Sequence, residues 1–528
     1  MKVLISDPLS SEGIDYLRQN VETADVRTDL SAEELLAIIG EYDALVVRSG
    51  TKVTAEVIEA GNKLKVIGRA GVGVDNIDVE KATEKGIVVI NAPEGNTISA
   101  AEHALAMLAS LARNIPRAHY SLKNREWKRS SFMGVELYKK TLGIVGLGRI
   151  GSEVAKRARS FGMNILAYDP YISSERARKL GVKLEEEPEE IYRQADFITL
   201  HIPKTSSTYH MIDAEQLAMM KDGVRIVNCA RGGLINEEAL YEALQSGKVA
   251  GAALDVFEDE PPLDSKLLDL ENVIVTPHLG ASTREAQINV ALQVAEQVVH
   301  ALRGEPVVSA VNVPVIMPET MAEVEPFLPL MRLLGSFYMQ TFNGKVKEVE
   351  IIYSGEIANY QVNPLTNSFL IGLLSVTLNE HVNYVNAPVI VRNRGIKIKE
   401  ITTKNCENFT NLVTVNVKTA AGVITVAGTL FNQKDMRIVQ IGDYRIEVTP
   451  SRYMFVCTYI DQPGVIGRVG TKLGENNINI AGMYVGRQSI GGEAVMVLQV
   501  DDIIPDELLS TLKELDSILK VYFVRFNL

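Results

Sequence analysis

Short apolar runs alternate with stretches of helical periodicity over the first three hundred residues. Residues 2–6, 44–48 and 66–69 read as strands and 10–19 as a helix, an alternation that predicts a small parallel sheet with covering helices. A long amphipathic helix at 99–114 begins with a capping-type pattern and links two lobes. A second run of β/α units starts at 142–145 and continues through strands at 164–168, 196–201, 225–230, 249–256 and 272–276, with a helix over 152–161 that stops at Gly162. The helix at 282–304 leads the chain back onto the first lobe, which makes that lobe discontinuous. Near residue 314 the pattern changes. Residues 313–325 are rich in Pro, Met and acidic groups; VKEVEIIYSGEI, AGVITVAGTLF and MRIVQIGDYRIEV then alternate like strands, the last as a hairpin around a G-D turn. Residues 453–528 run β-α-β-β-α-β, the order of a small ferredoxin-like domain. The expected fold class is therefore α/β: two Rossmann-like doubly wound domains, then an α+β intervening domain and a βαββαβ tail. Expected boundaries are 1–97 with 286–312, then 98–285, 314–447 and 453–528.

Composition narrows the partners. A chain of 528 residues is too long for one core and suggests three or four domains of about 150 residues. With 54 Lys and Arg against 66 Asp and Glu, the net charge of −12 argues against a general nucleic-acid or anionic-membrane partner. Any anionic ligand must then sit in a local basic pocket. Three cysteines, Cys229, Cys406 and Cys457, lie too far apart for a C-x-x-C motif. They fit a reducing cytoplasm. No apolar run reaches the roughly 18 residues of a membrane span, and the opening MKVLISDPLS has no signal pattern, so a cytoplasmic location is expected.

The chemistry gathers at the ends of the expected strands. TLGIVGLGRIG at 141–151 holds Gly146, Gly148 and Gly151 in a G-x-G-x-x-G array between a strand and a helix, and the next strand ends in Asp169. Such a turn cradles a pyrophosphate at a helix N-terminus, and the carboxylate takes ribose hydroxyls while repelling a 2′-phosphate. The cofactor expected is NAD rather than NADP. Arg48 and Arg69 end strands of the first lobe. Arg231, Asp255, Glu260 and His278 follow strands of the second, where open α/β sheets present ligand groups. Hydride transfer between a 2-hydroxy acid and NAD needs a base, a cation for the carboxylate and a nicotinamide in register. His278 suits the base, Glu260 its partner, Arg231 the carboxylate clamp, and Asp255 a contact to the nicotinamide side. His103, on the linking helix, reads as a packing or capping residue. The basic arm at 117–132, with the only tryptophan, Trp127, is either solvated or docked on a second subunit to lend Arg129 to its neighbour's pocket.

Seven segments carry a resemblance. GLGRIG at 146–151, NCARGG at 228–233, AALDVFEDEPP at 252–262 and TPHLGAST at 276–283 resemble the D-isomer-specific 2-hydroxyacid dehydrogenase family. VVRS at 46–49, GRAGVGVDNID at 68–78 and WKRSSFMGVEL at 127–137 point within it to members that oxidise 3-phospho-D-glycerate to 3-phosphooxypyruvate at the start of L-serine biosynthesis. The resemblance implies Arg231, Glu260 and His278 as the catalytic set. It implies Gly146, Gly148, Arg149, Ile150, Gly151, Asp169, Cys229, Asp255 and Gly280 around NAD, and Arg48, Ser49, Arg69, Gly71 and a second subunit's Arg129 around the substrate. Residues 314–447 resemble the intervening, allosteric-substrate-binding domain of the family's long form, where Lys434, Arg437 and Arg445 form either an anion site or a solvated face. Residues 453–528 resemble an ACT domain. That likeness implies an L-serine site of Tyr459, Asp461 and, opposite them, Asn479, and a homo-oligomer, plausibly a tetramer. Two rival readings keep the same front: a hydroxypyruvate or glyoxylate reductase, and a non-enzymatic NADH-sensing corepressor. No metal is expected.

Overall fold

The structure is a computed structural model that describes residues 1–526 apart from 306, 314–317, 343 and 379–380. The start of the expected intervening segment, 314–317, lies outside the described residues. In the first lobe β1 (Lys2–Ile5), β2 (Thr23–Val26), β3 (Ala44–Val47), β4 (Val66–Arg69) and β5 (Val88–Ile90) form a parallel sheet in the order β2-β1-β3-β4-β5. This is a doubly wound order whose ligands lie outside the carboxyl ends of the strands. β3 is buried along its whole length, as a central strand covered on both faces must be. The helix Arg284–Arg303 does return to this lobe. Val290, Val294 and Val298 enter the core with Val3, Ile5 and Val46, and a Cβ on Gly68 of β4 would lie 2.6 Å from Val298.

The second lobe is a seven-stranded parallel sheet of β6 (Thr141–Val145), β7 (Asn164–Tyr168), β8 (Lys183–Glu185), β9 (Phe197–Leu200), β10 (Val224–Asn228), β11 (Val249–Leu254) and β12 (Val273–Val275). Its order, β12-β11-β10-β9-β6-β7-β8, reverses beside β6 at the glycine turn. The sequence pattern missed β2, β5 and β8. β2 and β8 are edge strands buried only in part, so neither needs an apolar run. The glycine-turn helix begins at Arg149, three residues earlier than expected, because Gly148 occupies the N-cap. The first half of the basic arm is a helix, Ile115–Lys123, with Pro116 in its first turn.

The rear of the chain holds two further sheets. β13 (Glu348–Gly355), β14 (Lys397–Thr403), β15 (Asn411–Thr419), β16 (Gly422–Phe431), β17 (Asp435–Ile441) and β18 (Tyr444–Val448) form a mixed sheet, with β17 and β18 the expected hairpin. β19 (Tyr453–Ile460), β20 (Ile480–Arg487), β21 (Glu493–Val500) and β22 (Ile518–Arg525) form an antiparallel sheet in the order β20-β21-β19-β22. One face of this last sheet, through Phe455, Cys457, Met496 and Leu498, packs on its own two helices. Its other face, through Met454, Val456, Val497 and Val524, enters the core of the helix Leu328–Thr341 and the six-stranded sheet. The stretch between 447 and 453 thus separates two sheets that share one core. Asn383 fastens the rear to the first lobe by donating to the Gly86 carbonyl at 2.7 Å. No described helix is long and apolar enough to cross a membrane.

Candidate active site

The glycine turn has the shape a dinucleotide needs. Gly146 adopts a φ of 95°, and a Cβ there would lie 2.5 Å from the His201 carbonyl oxygen. A Cβ on Gly151 would lie 2.0 Å from the Gly146 carbonyl oxygen, whereas one on Gly148 would meet nothing within 4 Å. Gly146 and Gly151 therefore close the turn, and Gly148 leaves open the side on which a pyrophosphate approaches the helix N-terminus. Ile150 turns inward against the core. The Arg149 guanidinium donates to Glu94 of the first lobe at 3.2 Å. Asp169 accepts from the N–H groups of Leu147 and Tyr171, at 2.8 and 2.9 Å, and so holds the turn as well as presenting a carboxylate at the end of β7. The residues present thus fit a dinucleotide.

Across the switch point, β11 and β12 deliver the acid–base pair. His278 Nδ1 lies 2.8 Å from Glu260 Oε2. The Phe257 N–H donates to the other Glu260 oxygen at 3.2 Å. Burial alone would raise the carboxyl pKa of Glu260, but the bond to His278, its charge and the Phe257 N–H hold it below the usual range. An ionised carboxylate only accepts, so Nδ1 carries the proton and Nε2 is left as the free ring nitrogen. His278 has a φ of 54°, a left-handed conformation uncommon outside glycine and asparagine. Its N–H donates to the Asp255 and Thr276 carbonyls.

Asp255, 1% exposed, keeps that loop in place. It accepts from Thr276 Oγ1 at 2.5 Å and from the Leu279 and Gly280 N–H groups at 2.7 and 2.8 Å, and His103 Nε2 lies 3.2 Å from it. Burial opposes its ionisation. His103 and the Thr276 and Leu279 donors outweigh it and hold its pKa below the usual range. The oxygens expected to reach the nicotinamide are thus engaged within the protein. His103, set aside in the sequence as a packing residue, proves to be part of this support. Cys229 lies beside the pair, and burial followed by the Asp255 charge pushes its thiol pKa up.

The first lobe supplies cations. Burial first, then the nearby charges of Arg231 and Arg48, bring the Arg69 pKa down to about 10 against the opposing pull of Asp75 and Asp7. The charges of Arg48 and Arg231 therefore reach Arg69. Arg231 donates from Nε to Asp75 at 3.2 Å. A Cβ on Gly71 would lie 2.1 Å from Arg69 Nη1 and one on Gly73 2.0 Å from Arg231 Nη2, so both guanidinium groups rest on bare backbone. Asp7 shapes the Arg48–Ser49 loop by accepting from the N–H groups of Arg48 and Thr51. Asp7, Asp75 and Asn76 were not singled out in the sequence, although the last two lie inside the quoted GVDN segment. Arg129 sits in a short exposed 3-10 turn, Arg129–Phe132, near Trp127, which is 77% exposed.

The expected effector residues do not meet within one chain. Ile460 is opposite Glu493, and Arg487 opposite Ala494, which puts Tyr459 and Asp461 at one end of the tail sheet. Ile480 pairs with Val500, so Asn479 is at the other end, about 25 Å away over an eight-residue strand. Asn479 donates to Asp501 at 2.6 Å, and Asp461 pairs with Arg487 at 2.9 Å. Tyr459 is 1% exposed and its hydroxyl has no partner among the described residues. In the intervening domain Arg437 lies 3.9 Å from Glu447 and over the Phe431 ring.

Comparison with known proteins agrees with this geometry. The D-isomer specific 2-hydroxyacid dehydrogenase NAD binding domain matches residues 105–280, the D-3-phosphoglycerate dehydrogenase intervening domain 323–442 and the ACT domain 453–517. The D-3-phosphoglycerate dehydrogenase of Methanocaldococcus jannaschii is 50% identical over 98% of each chain. The chain belongs to the D-3-phosphoglycerate dehydrogenase family. The enzyme of that name from Synechocystis is 48% identical over 99% of this chain and 94% of its own. The D-lactate dehydrogenase of Aquifex aeolicus, solved with NAD and lactic acid, is 30% identical with a TM-score of 0.52, covering 58% of this chain and 96% of its own. As a member of the D-3-phosphoglycerate dehydrogenase family the chain is an NAD-dependent oxidoreductase with a Rossmann NAD domain and a regulatory ACT domain.

Proposed function

We infer that this enzyme oxidises 3-phospho-D-glycerate to 3-phosphooxypyruvate, the first step of L-serine biosynthesis, in the cytoplasm. The observations that carry the reading are the His278–Glu260 pair at 2.8 Å and the mutual influence of the Arg48, Arg69 and Arg231 charges. Bound NAD supplies the hydride acceptor. His278 Nε2 takes the hydroxyl proton, and Glu260 accepts from Nδ1–H and stabilises the imidazolium that results. Arg231 exchanges Asp75 for the substrate carboxylate and polarises the oxygen at C2. Arg48 and Arg69, joined by a second subunit's Arg129, take the phosphate. Asp255 and Gly280 act on the cofactor side through the loop they hold. Residues 1–97 with 286–312 are assigned to substrate, 98–285 to NAD, 314–447 to the intervening domain and 453–528 to the sensor.

A homo-oligomer, with a tetramer as the simplest assembly, is supported by two features. Trp127, Met133 and Tyr120 are exposed together along the arm. Tyr459 and Asp461 also need a second chain's Asn479 to complete a serine site. The rival reading as a hydroxypyruvate or glyoxylate reductase leaves Arg48 and Arg69, with a second subunit's Arg129, without a phosphate to bind. The test is NADH formation from 3-phospho-D-glycerate and from unphosphorylated D-glycerate, with and without millimolar L-serine. Turnover on the phosphorylated acid, suppressed by serine, is expected. Equal turnover on both acids would favour the rival, and none on either would favour a non-enzymatic sensor.

A further inference from the structure

The turn Asp75–Asn76 touches all three arginines, Asp75 through Arg231 and Asn76 through Arg69 and the Arg48 backbone. Asn76 Nδ2 donates to the Arg48 and Thr51 carbonyls at 2.7 Å each, and its Oδ1 accepts from Arg69 Nε at 3.3 Å. Its own carbonyl accepts from Val53 N–H at 2.8 Å. One neutral side chain thereby joins the loop after β3 to the loop after β4, holding Arg69 by its guanidinium and Arg48 by its backbone, while the Arg48 guanidinium donates to the Pro8 carbonyl at 3.2 Å. A carboxylate could hold Arg69 equally well, but it would cancel the charge that an anion needs; an amide orients the guanidinium and leaves that charge unspent. Arg69 has Nε occupied and, among the described residues, no partner at either Nη. That is the disposition of a guanidinium awaiting a bidentate ligand.

We propose that Asn76 is a positioning residue that presets Arg69 and Arg48 for the phosphate of the substrate. The inference rests on the reading of those arginines as the substrate pocket. The experiment compares Arg69→Ala, Asn76→Ala and Asn76→Asp for kcat, for KM with 3-phospho-D-glycerate and with NAD, and for competitive inhibition by inorganic phosphate. Asn76→Ala raises the substrate KM about tenfold, with the phosphate Ki rising in step and kcat held within about twofold. The KM for NAD stays unchanged. Asn76→Asp keeps an acceptor for Arg69 but loses both donors and adds a negative charge, so its substrate KM rises further. It also decides the matter alone if the alanine variant does not fold. A folded Asn76 variant with wild-type KM and phosphate Ki overturns the inference, as does one whose kcat falls while its KM stays put. Raised KM in Arg69→Ala beside unchanged Asn76 variants sinks the inference and spares the pocket. Unchanged KM in Arg69→Ala sinks both.

Discussion

The cleft gathers its candidate groups at strand ends, whereas the tail sheet splits its groups between a strand end and a strand start. In the two parallel sheets every strand ends on the same side. Arg69, Asp169, Asp255 and the loop bearing His278, far apart in sequence, consequently arrive at one crevice. In the tail, β19 and β20 are both antiparallel to β21 and so run in the same direction, which puts the end of one and the start of the other at opposite edges. Tyr459 and Asp461, at the end of β19, and Asn479, at the start of β20, are held a strand length apart. The cleft thus draws its groups from strand ends on one side of each sheet. The tail's expected groups divide between a strand end and a strand start and need a second copy to come together, although Asp461 and Arg487 do meet within one chain.

The largest effect expected is at the cleft. His278→Ala should lower turnover by about 100- to 10,000-fold while NADH binding, followed by fluorescence titration, stays near wild type. Turnover that survives this change would remove His278 from the acid–base role and the cleft from its place in the comparison.

Next comes the carboxylate that holds the His278 loop. Asp255→Asn removes a buried acceptor of several donors and should cost about 3 kcal/mol of stability at neutral pH. Because the folded pKa of Asp255 is depressed, its contribution is fully present above the unfolded value of about 3.9 and is lost as pH falls through the lower folded value. The gap between the unfolding midpoints of the two proteins should therefore close in acid. A gap independent of pH would assign the cost to packing instead.

The smallest effect sharpens the tail side. Asp461→Ala and Asn479→Ala should each lose serine inhibition, a coupling of about 1 to 3 kcal/mol, with basal turnover intact. Oligomers mixed from the two variants should regain part of it, since one class of interface site combines two unaltered halves. Mixtures as insensitive as either parent would place the effector site within a single chain.

Much of this was legible one residue at a time. The glycine array, the arginines at strand ends and the residue types Glu260 and His278 follow from short segments whose chemistry depends on local spacing, and the structure puts them at or just after strand ends. The supports were not legible in that way. His103 on a linking helix looks like many core-facing histidines, and only the fold sets it 3.2 Å from Asp255 across more than 150 residues. Asn76 stands in a segment quoted for the family resemblance it carries, and nothing local says that its amide meets two arginine loops. The edge strands β2 and β8 escaped because edge positions relax the apolar pattern that marks a central strand.

The sequence by itself determined the order of elements, the glycine turn, the preference for NAD and the residue types of the acid–base pair. Backbone periodicity and turn chemistry are local, and they survive reading in one dimension. Which groups meet was decided only by the tertiary structure. Strand direction sets the side of a sheet on which a loop emerges; it gathers the cleft, whose groups all follow strand ends, and it divides the tail, where Asn479 precedes a strand while Tyr459 and Asp461 end one. The shared core of the two rear sheets and the Asn76 bridge are long-range contacts of the same kind, and no stretch of chain contains both partners.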